Sequence, residues 1–291
     1  MRKKLIQLIQ GNYDQKQAAV IQIITLNVIF FSLSVLLSFI FFLFNELTTI
    51  ISFLRYFYLP SDFSDFIHQP WSLLTFQFFH SLENPFHIVF NLLWLYWFGR
   101  TFNFYFGGKR VWFLYLLGGI VGGLIFMIAY NVFPVFTRYQ QTTYLLGASA
   151  GVTAIVIALA TYMPNFEVYT LLGSIKLKWI ALITILMDFA LTPNGFNSGG
   201  HIAHLGGAFF GFLYMFAYQK NIDLSNFIKW FQKKSYQPKI KIINSYSQNQ
   251  SSKSTKPTQQ EIDRILDKIA AQGYDQLTQE EKQTLYNASK D

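Results

Sequence analysis

The sequence predicts an all-α membrane protein: a bundle of six transmembrane helices followed by a small cytoplasmic helical tail. Three observations predict it. Of 291 residues, 52% are hydrophobic and only 13% charged, about half the charged share of an average soluble domain, which leaves too little charge to coat a water-facing surface. The apolar residues gather into six stretches between residues 20 and 218. None of these alternates with the period of two that a barrel strand needs, so in lipid the backbone must satisfy itself as helix. The basic residues are sorted: of the 23 Lys and Arg, all but Arg55 and Arg138 fall on one side of the six stretches.

Taken in order, residues 1–19 form a cytoplasmic N-terminal segment carrying Arg2, Lys3, Lys4 and Lys16. The stretches then run about Val20–Phe44, Pro85–Phe106, Val111–Phe133, Ser149–Met163, Ile175–Leu191 and Ile202–Tyr218, giving a membrane domain over 20–218. A spanning helix needs roughly 20 residues. The first three reach that length, the fourth and fifth are short, and the sixth is borderline. The first stretch is too long for a signal-peptide core and is read as uncleaved. The positive-inside rule places both termini in the cytoplasm. It makes the net charge of +8 an orientation signal and a lipid contact rather than a nucleic-acid patch. The external segment Asn45–Glu83, which mixes Trp71, Phe76, Phe78 and Phe79 with Asp62, Asp65 and Pro70, is expected to lie partly in the interface. Residues 219–257 form a polar linker, of which Lys233–Pro257 is too polar to fold. Within 258–291, Ile262, Ile265, Leu266 and Ile269 have helical spacing, Gly273 suits a helix end, and Thr278 with Glu281 reads as a capping box, together a helical hairpin.

Polar groups inside the apolar region are few, and each requires an explanation. Stretches two, four and six all enter from outside, so their first turns share one depth. That layer holds His87 and Asn91, Ser149, and His204. Taken singly, a Ser among Gly and Ala reads as packing, and a His at a helix start reads as an interfacial residue. Together they form a catalytic constellation. Small residues in Gly147-Ala148-Ser149-Ala150-Gly151 and at Gly207 and Gly211 allow helices four and six to approach closely, which would bring Ser149 within hydrogen-bond reach of His204. Helix-start N–H groups, Asn91 and His87 would then receive an oxyanion. Four such groups can satisfy one another around a wet cavity. The fourth stretch is short enough to start below the outer surface, with an irregular loop, about Pro134–Leu146, above it. His201 is read as a hydrated accessory residue, and Asp188 as a local cap or pair outside the catalytic set. No Cys is present, so disulfides, a Cys nucleophile and thiolate metal sites are excluded. No His-Glu-x-x-His occurs, and neither metal nor cofactor is expected.

These residues resemble the rhomboid intramembrane serine proteases. Gly147-Ala148-Ser149 looks like the family's Gly-x-Ser at the start of the fourth span. Ala203 to Gly211 matches its Ala-His-x-x-Gly-x-x-x-Gly, and His87 with Asn91 matches its His-x-x-x-Asn. Pro70 to Thr75, followed by His80, is similar to the end of its first loop. Two positions depart: Ala150 stands where Gly is usual, and Thr153 stands where many members place an aromatic residue under the catalytic His. His204 is therefore expected to be held differently.

The resemblance implies a Ser149–His204 dyad without a third acid, with His87 and Asn91 as oxyanion and substrate-binding groups. It implies cleavage of other membrane proteins within or near their transmembrane segments. The partners are then transmembrane protein substrates and the lipid bilayer, with no nucleic acid, and the setting is a bacterial plasma membrane. The alternative within the fold is an inactive rhomboid-like protein that binds membrane clients. A proton relay would need ionisable groups through the full depth, which the apolar inner halves of the helices lack.

Overall fold

The computed structural model describes residues 2–137, 143–170, 173–195, 197–226, 258–272 and 274–288 and is mostly helical. It divides into two compact units, Met1–Lys233 and Lys234–Asp291. Most of the expected linker (227–257) and Gly273 lie outside the described residues.

Each of the six apolar stretches carries a helix. The first lies in α1 (Arg2–Leu43). The second is one unbroken helical course: α5 (Pro85–Trp94), a π-type turn at Leu95–Gly99, then α6 (Arg100–Phe106). The third is α7 (Gly108–Val132), the fourth α9 (Ser149–Tyr162), the fifth α10 (Leu177–Leu191) and the sixth α11 (Ser198–Gln219). Short helices α2 (Leu47–Arg55), α3 (Phe63–His68) and α4 (Ser72–Thr75) fold the segment after α1, and α8 (Pro134–Thr137) follows α7. Two of these helical segments, Ala18–Leu43 and Gly108–Val132, are long and apolar enough to cross a bilayer by themselves.

The purely helical expectation needs correcting in two places. Strand β1 (Leu59–Pro60) pairs antiparallel with β2 (Tyr144–Leu145), and β3 (Glu167–Thr170) with β4 (Gly173–Lys176). Ile175, counted in the fifth apolar stretch, therefore belongs to a hairpin, because a short apolar run does not by itself distinguish strand from helix. In addition, α11 starts at Ser198, about one turn before the sixth stretch. The added residues, Ser198 to His201, are small or polar, and an apolar count passes over them.

The centre of the membrane-domain unit is α7, α9 and α11 packed backbone to backbone. A Cβ on Gly207 would lie 2.1 Å from the Ala150 carbonyl oxygen, and one on Gly211 2.2 Å from that of Ala154. Helix α9 is accordingly buried from Ala150 through Ala160. The Ala150 methyl is accommodated by Gly122 of α7, where a Cβ would come within 2.8 Å of it. Around this core, large apolar side chains face outward: Phe42 of α1 is 61% exposed, Phe86 of α5 67% and Phe189 of α10 62%. Apolar surface on this scale is stable against lipid rather than water.

Polar contacts join the ends of the helices. Arg110, at the start of α7, pairs with Asp223, just beyond α11, at 2.7 Å, and Lys109 donates to Asn226 at 3.2 Å. Burial works to raise the Asp223 carboxyl, yet hydrogen bonds from Ser225 and Arg110 and the Arg110 charge hold it below its ordinary value. Midway, the buried Tyr115 hydroxyl accepts from Asn27 of α1 at 3.0 Å and donates to the Gln77 carbonyl at 2.9 Å, tying the segment after α1 to α7.

In the second unit, α12 (Gln259–Gln272) and α13 (Gln279–Ala288) both begin with capping boxes. The Thr278 N–H donates to Glu281 at 2.8 Å, with the reciprocal bond at 3.3 Å. Thr258 and Glu261 repeat the arrangement. Lys268 joins the two helices through Glu281 at 2.8 Å.

Candidate active site

Ser149 opens α9, and three elements hold the turn before it. The segment after α1 supplies two acceptors: the Phe76 carbonyl takes the Gly147 N–H at 3.0 Å, and His80 Nε2 takes the Ala148 N–H at 3.4 Å. Burial, assisted by the neighbouring His87, pushes the His80 imidazole down to about 3, so the ring is neutral at pH 7 and able to accept. Ladder β1–β2 anchors the approach, with Ser61 N–H on the Thr143 carbonyl at 3.1 Å and Asn131 of α7 donating to the Ser61 carbonyl at 2.6 Å.

Helix α5 contributes His87 and Asn91 from one face, since residues four apart are neighbours on a helix. Both reach Gly147. A Cβ there would lie 2.9 Å from His87 Nε2 and 3.8 Å from Asn91 Nδ2. Gly147 has φ +117°, a region L side chains rarely adopt, so only Gly satisfies both the backbone and the approaching imidazole. The Asn91 amide nitrogen is buried and makes no hydrogen bond among the described residues. Residue 148 is Ala, so no side chain caps the first turn of α9, and its N–H groups stay available to an incoming oxygen.

Helix α11 contributes His204. The Gly207–Ala150 contact brings its second turn against the start of α9. Two expectations are revised here. Among the described residues Ser149 and His204 make no hydrogen bond, and the four polar groups do not satisfy one another, since Asn91 is left unpaired. The His204 ring is instead anchored on its far side, where Nδ1 lies 2.8 Å from Asp188 Oδ1. A resting nucleophile–base pair is often longer than a hydrogen bond and tightens with substrate.

Asp188 is the residue that sequence reasoning underrated. It is 5% exposed, and its Oδ1 meets Nδ1 of both His201 and His204 at 2.8 Å. His201 is thus a partner in this cluster rather than a hydrated accessory. The available signal was the brevity of the connection between α10 and α11. Thr192–Asn194 form a tight turn after α10, Ser198 Oγ donates to the Thr192 carbonyl at 2.6 Å, and Asn197 before it is left-handed. A turn this short places the last turn of α10 beside the first turns of α11. These three side chains also form a group with metal-ligand chemistry, their ligand atoms all within 4.8 Å of one another. The two 2.8 Å contacts have hydrogen-bond length.

Residues 67–221, more than half of the chain, match the Rhomboid domain family, and residues 248–291 match a family of unknown function (DUF6576). RHOMBOID-like protein 1 of Arabidopsis thaliana is 27% identical over 152 residues, which cover 52% of this chain and 35% of that protein. The chain therefore spans about a third of that relative's length. It belongs to the rhomboid family and is a membrane protein with two candidate spans of full length.

Proposed function

We propose that this rhomboid-family chain is an intramembrane serine endopeptidase that cleaves transmembrane segments of other membrane proteins, with Ser149 as nucleophile and His204 as base. The observation that carries this reading is the turn at Gly147–Ser149. An unpaired buried amide (Asn91), an imidazole (His87) and the uncapped first turn of α9 converge on it, while α11 brings a His of fixed orientation from the other side. Such donors, ready before charge develops, are what acyl transfer requires.

In this mechanism Ser149 Oγ attacks the substrate carbonyl carbon as its proton passes to His204 Nε2. The C=O pair moves onto oxygen, and the resulting oxyanion accepts from Asn91 Nδ2, His87 and the Ser149 N–H. The C–N bond then breaks, and the imidazolium returns its proton to the leaving amine. Water, deprotonated by the same ring, releases the acyl group and restores Ser149. Attack requires a non-helical carbonyl, so substrates are transmembrane segments that unwind readily at small or helix-breaking residues.

The six helices are read as six spans, with both termini on the cytoplasmic face of a bacterial plasma membrane. The Arg110–Asp223 pair supports part of this topology, because it puts the start of α7 and the end of α11 on one face.

The competing reading is an inactive rhomboid-like protein that binds membrane clients, favoured by the lack of a Ser149–His204 hydrogen bond among the described residues. A fluorophosphonate probe separates the two. Active protease should be labelled at Ser149 and lose both labelling and cleavage of a single-span substrate in Ser149→Ala and His204→Ala. Labelling that survives removal of Ser149 overturns the nucleophile assignment, and a folded protein that neither labels nor cleaves favours client binding.

A further inference from the structure

The carboxylate of Asp188 lies under the candidate base, although nothing in a two-residue mechanism calls for it. Its place is specific. It projects from the last turn of α10, is almost fully buried, and has one oxygen 2.8 Å from Nδ1 of His204 and equally 2.8 Å from Nδ1 of His201. An ionised carboxylate oxygen accepts hydrogen bonds and donates none. With both contacts on the same oxygen, an ionised Asp188 therefore pairs with rings that carry their protons on Nδ1. That assignment has a consequence for His204, because a neutral imidazole protonated at Nδ1 presents a bare Nε2. Nε2 has no partner among the described residues, and it is the atom that must take the Ser149 proton.

We propose that Asp188 is a positioning residue for the dyad: it fixes the His204 ring in orientation and in the Nδ1–H tautomer, with His201 sharing and thereby anchoring the carboxylate. This rests on the serine-protease reading of the site. It gives the position held by Thr153 a physical counterpart, since the ring that an aromatic side chain would support from α9 is held by a hydrogen bond from α10. When His204 takes the Ser149 proton it becomes a cation, and Asp188 supplies the adjacent negative charge. No proton moves onto the carboxylate, which touches neither substrate nor reacting atoms. Among the described residues, the ionisable groups in contact with His204 are Asp188 from α10 and His201 on its own helix, and Asp188 is the carboxylate of the two.

The test combines tautomer and kinetics in the full-length protein in detergent. Nitrogen-15 spectra of histidine-labelled protein should show His204 protonated at Nδ1. In Asp188→Asn that tautomer should be lost, and kcat for a single-span substrate should fall about 10²–10⁴-fold, a misplaced imidazole proton being worth up to that upper figure in a Ser–His–Asp enzyme. KM should stay near the unsubstituted value. An unchanged tautomer in the variant, or a lost tautomer with kcat intact, overturns the proposal, because Asp188 would then serve the fold alone. If Asp188→Asn does not fold, the unsubstituted protein decides: a proton on Nδ1 of His204 supports the assignment, and one on Nε2 overturns it. A protein that cleaves nothing yet shows the Nδ1–H tautomer and loses it in Asp188→Asn keeps the positioning role and removes the protease reading.

Discussion

The two sides of the Ser149 turn hold their polar groups differently, although each keeps one buried atom without a hydrogen bond among the described residues, Asn91 Nδ2 and Asp188 Oδ2. On the α5 side, the Asn91 amide is buried without a hydrogen bond and His87 rests against a glycine that only just admits it. On the α10–α11 side, two histidines share one carboxylate oxygen at 2.8 Å each. An unpaired buried donor costs free energy in the resting protein, whereas a hydrogen-bonded ring is fixed in place. The oxyanion side holds donors for a charge that appears only during reaction, and the base side has its orientation settled beforehand.

Substitutions should separate the two sides. Replacing either member of the dyad, by Ser149→Ala or His204→Ala, should lower kcat by as much as about 10⁶-fold, the scale seen for such pairs, while the protein still folds, checked by substrate cleavage and a thermal melt. Asn91→Ala should reduce kcat by about 10²–10³-fold and leave the melting temperature unchanged or higher, because the lost amide has no partner in the resting state. A lower melting temperature with kcat intact would make Asn91 structural and erase the contrast. Gly207→Val should disturb both sides together. Its side chain meets the Ala150 carbonyl, and prying α9 from α11 should cost roughly 1–3 kcal/mol or more, read as a lower unfolding midpoint.

The smallest effect should come from the Arg110–Asp223 pair, far from Ser149. It is partly exposed, and Arg110→Ala should cost no more than about 1 kcal/mol with cleavage unaffected. The Asp223 carboxyl is held below its ordinary value, so the stability it adds is present above about pH 4 and is lost as pH falls through its folded-state value. An unfolding midpoint measured from pH 6 downward should therefore fall less in Asp223→Asn than in the unsubstituted protein.

Much of this was legible in the chain. The helical course Pro85–Phe106 starts and stops where the apolar run does, because a helix satisfies its own backbone and its extent follows local composition. Thr278 with Glu281, three apart, is read correctly because the contact lies within one helical turn. Ala150 in place of Gly is tolerated as its size suggests, although the reason, the bare Cα of Gly122 on α7, lies on another helix. The start of α11 and strand β4 were missed because Gly, Ser and short apolar runs carry no strong local preference.

The sequence by itself determined a helical membrane chain, its apolar segments and the residue types gathered at their ends, since hydrophobic patterning and i, i+4 spacing act over a few residues and do not depend on the rest of the fold. Only the tertiary structure decided that Asp188 meets His204, that the Asn91 amide nitrogen has no hydrogen bond among the described residues, and that His80 supports the turn before Ser149. Those relations join groups from different helices, and their distances are set to within an ångström by how α7, α9 and α11 pack at their glycines and by how tightly α10 turns into α11. Composition and spacing along one chain do not carry that information.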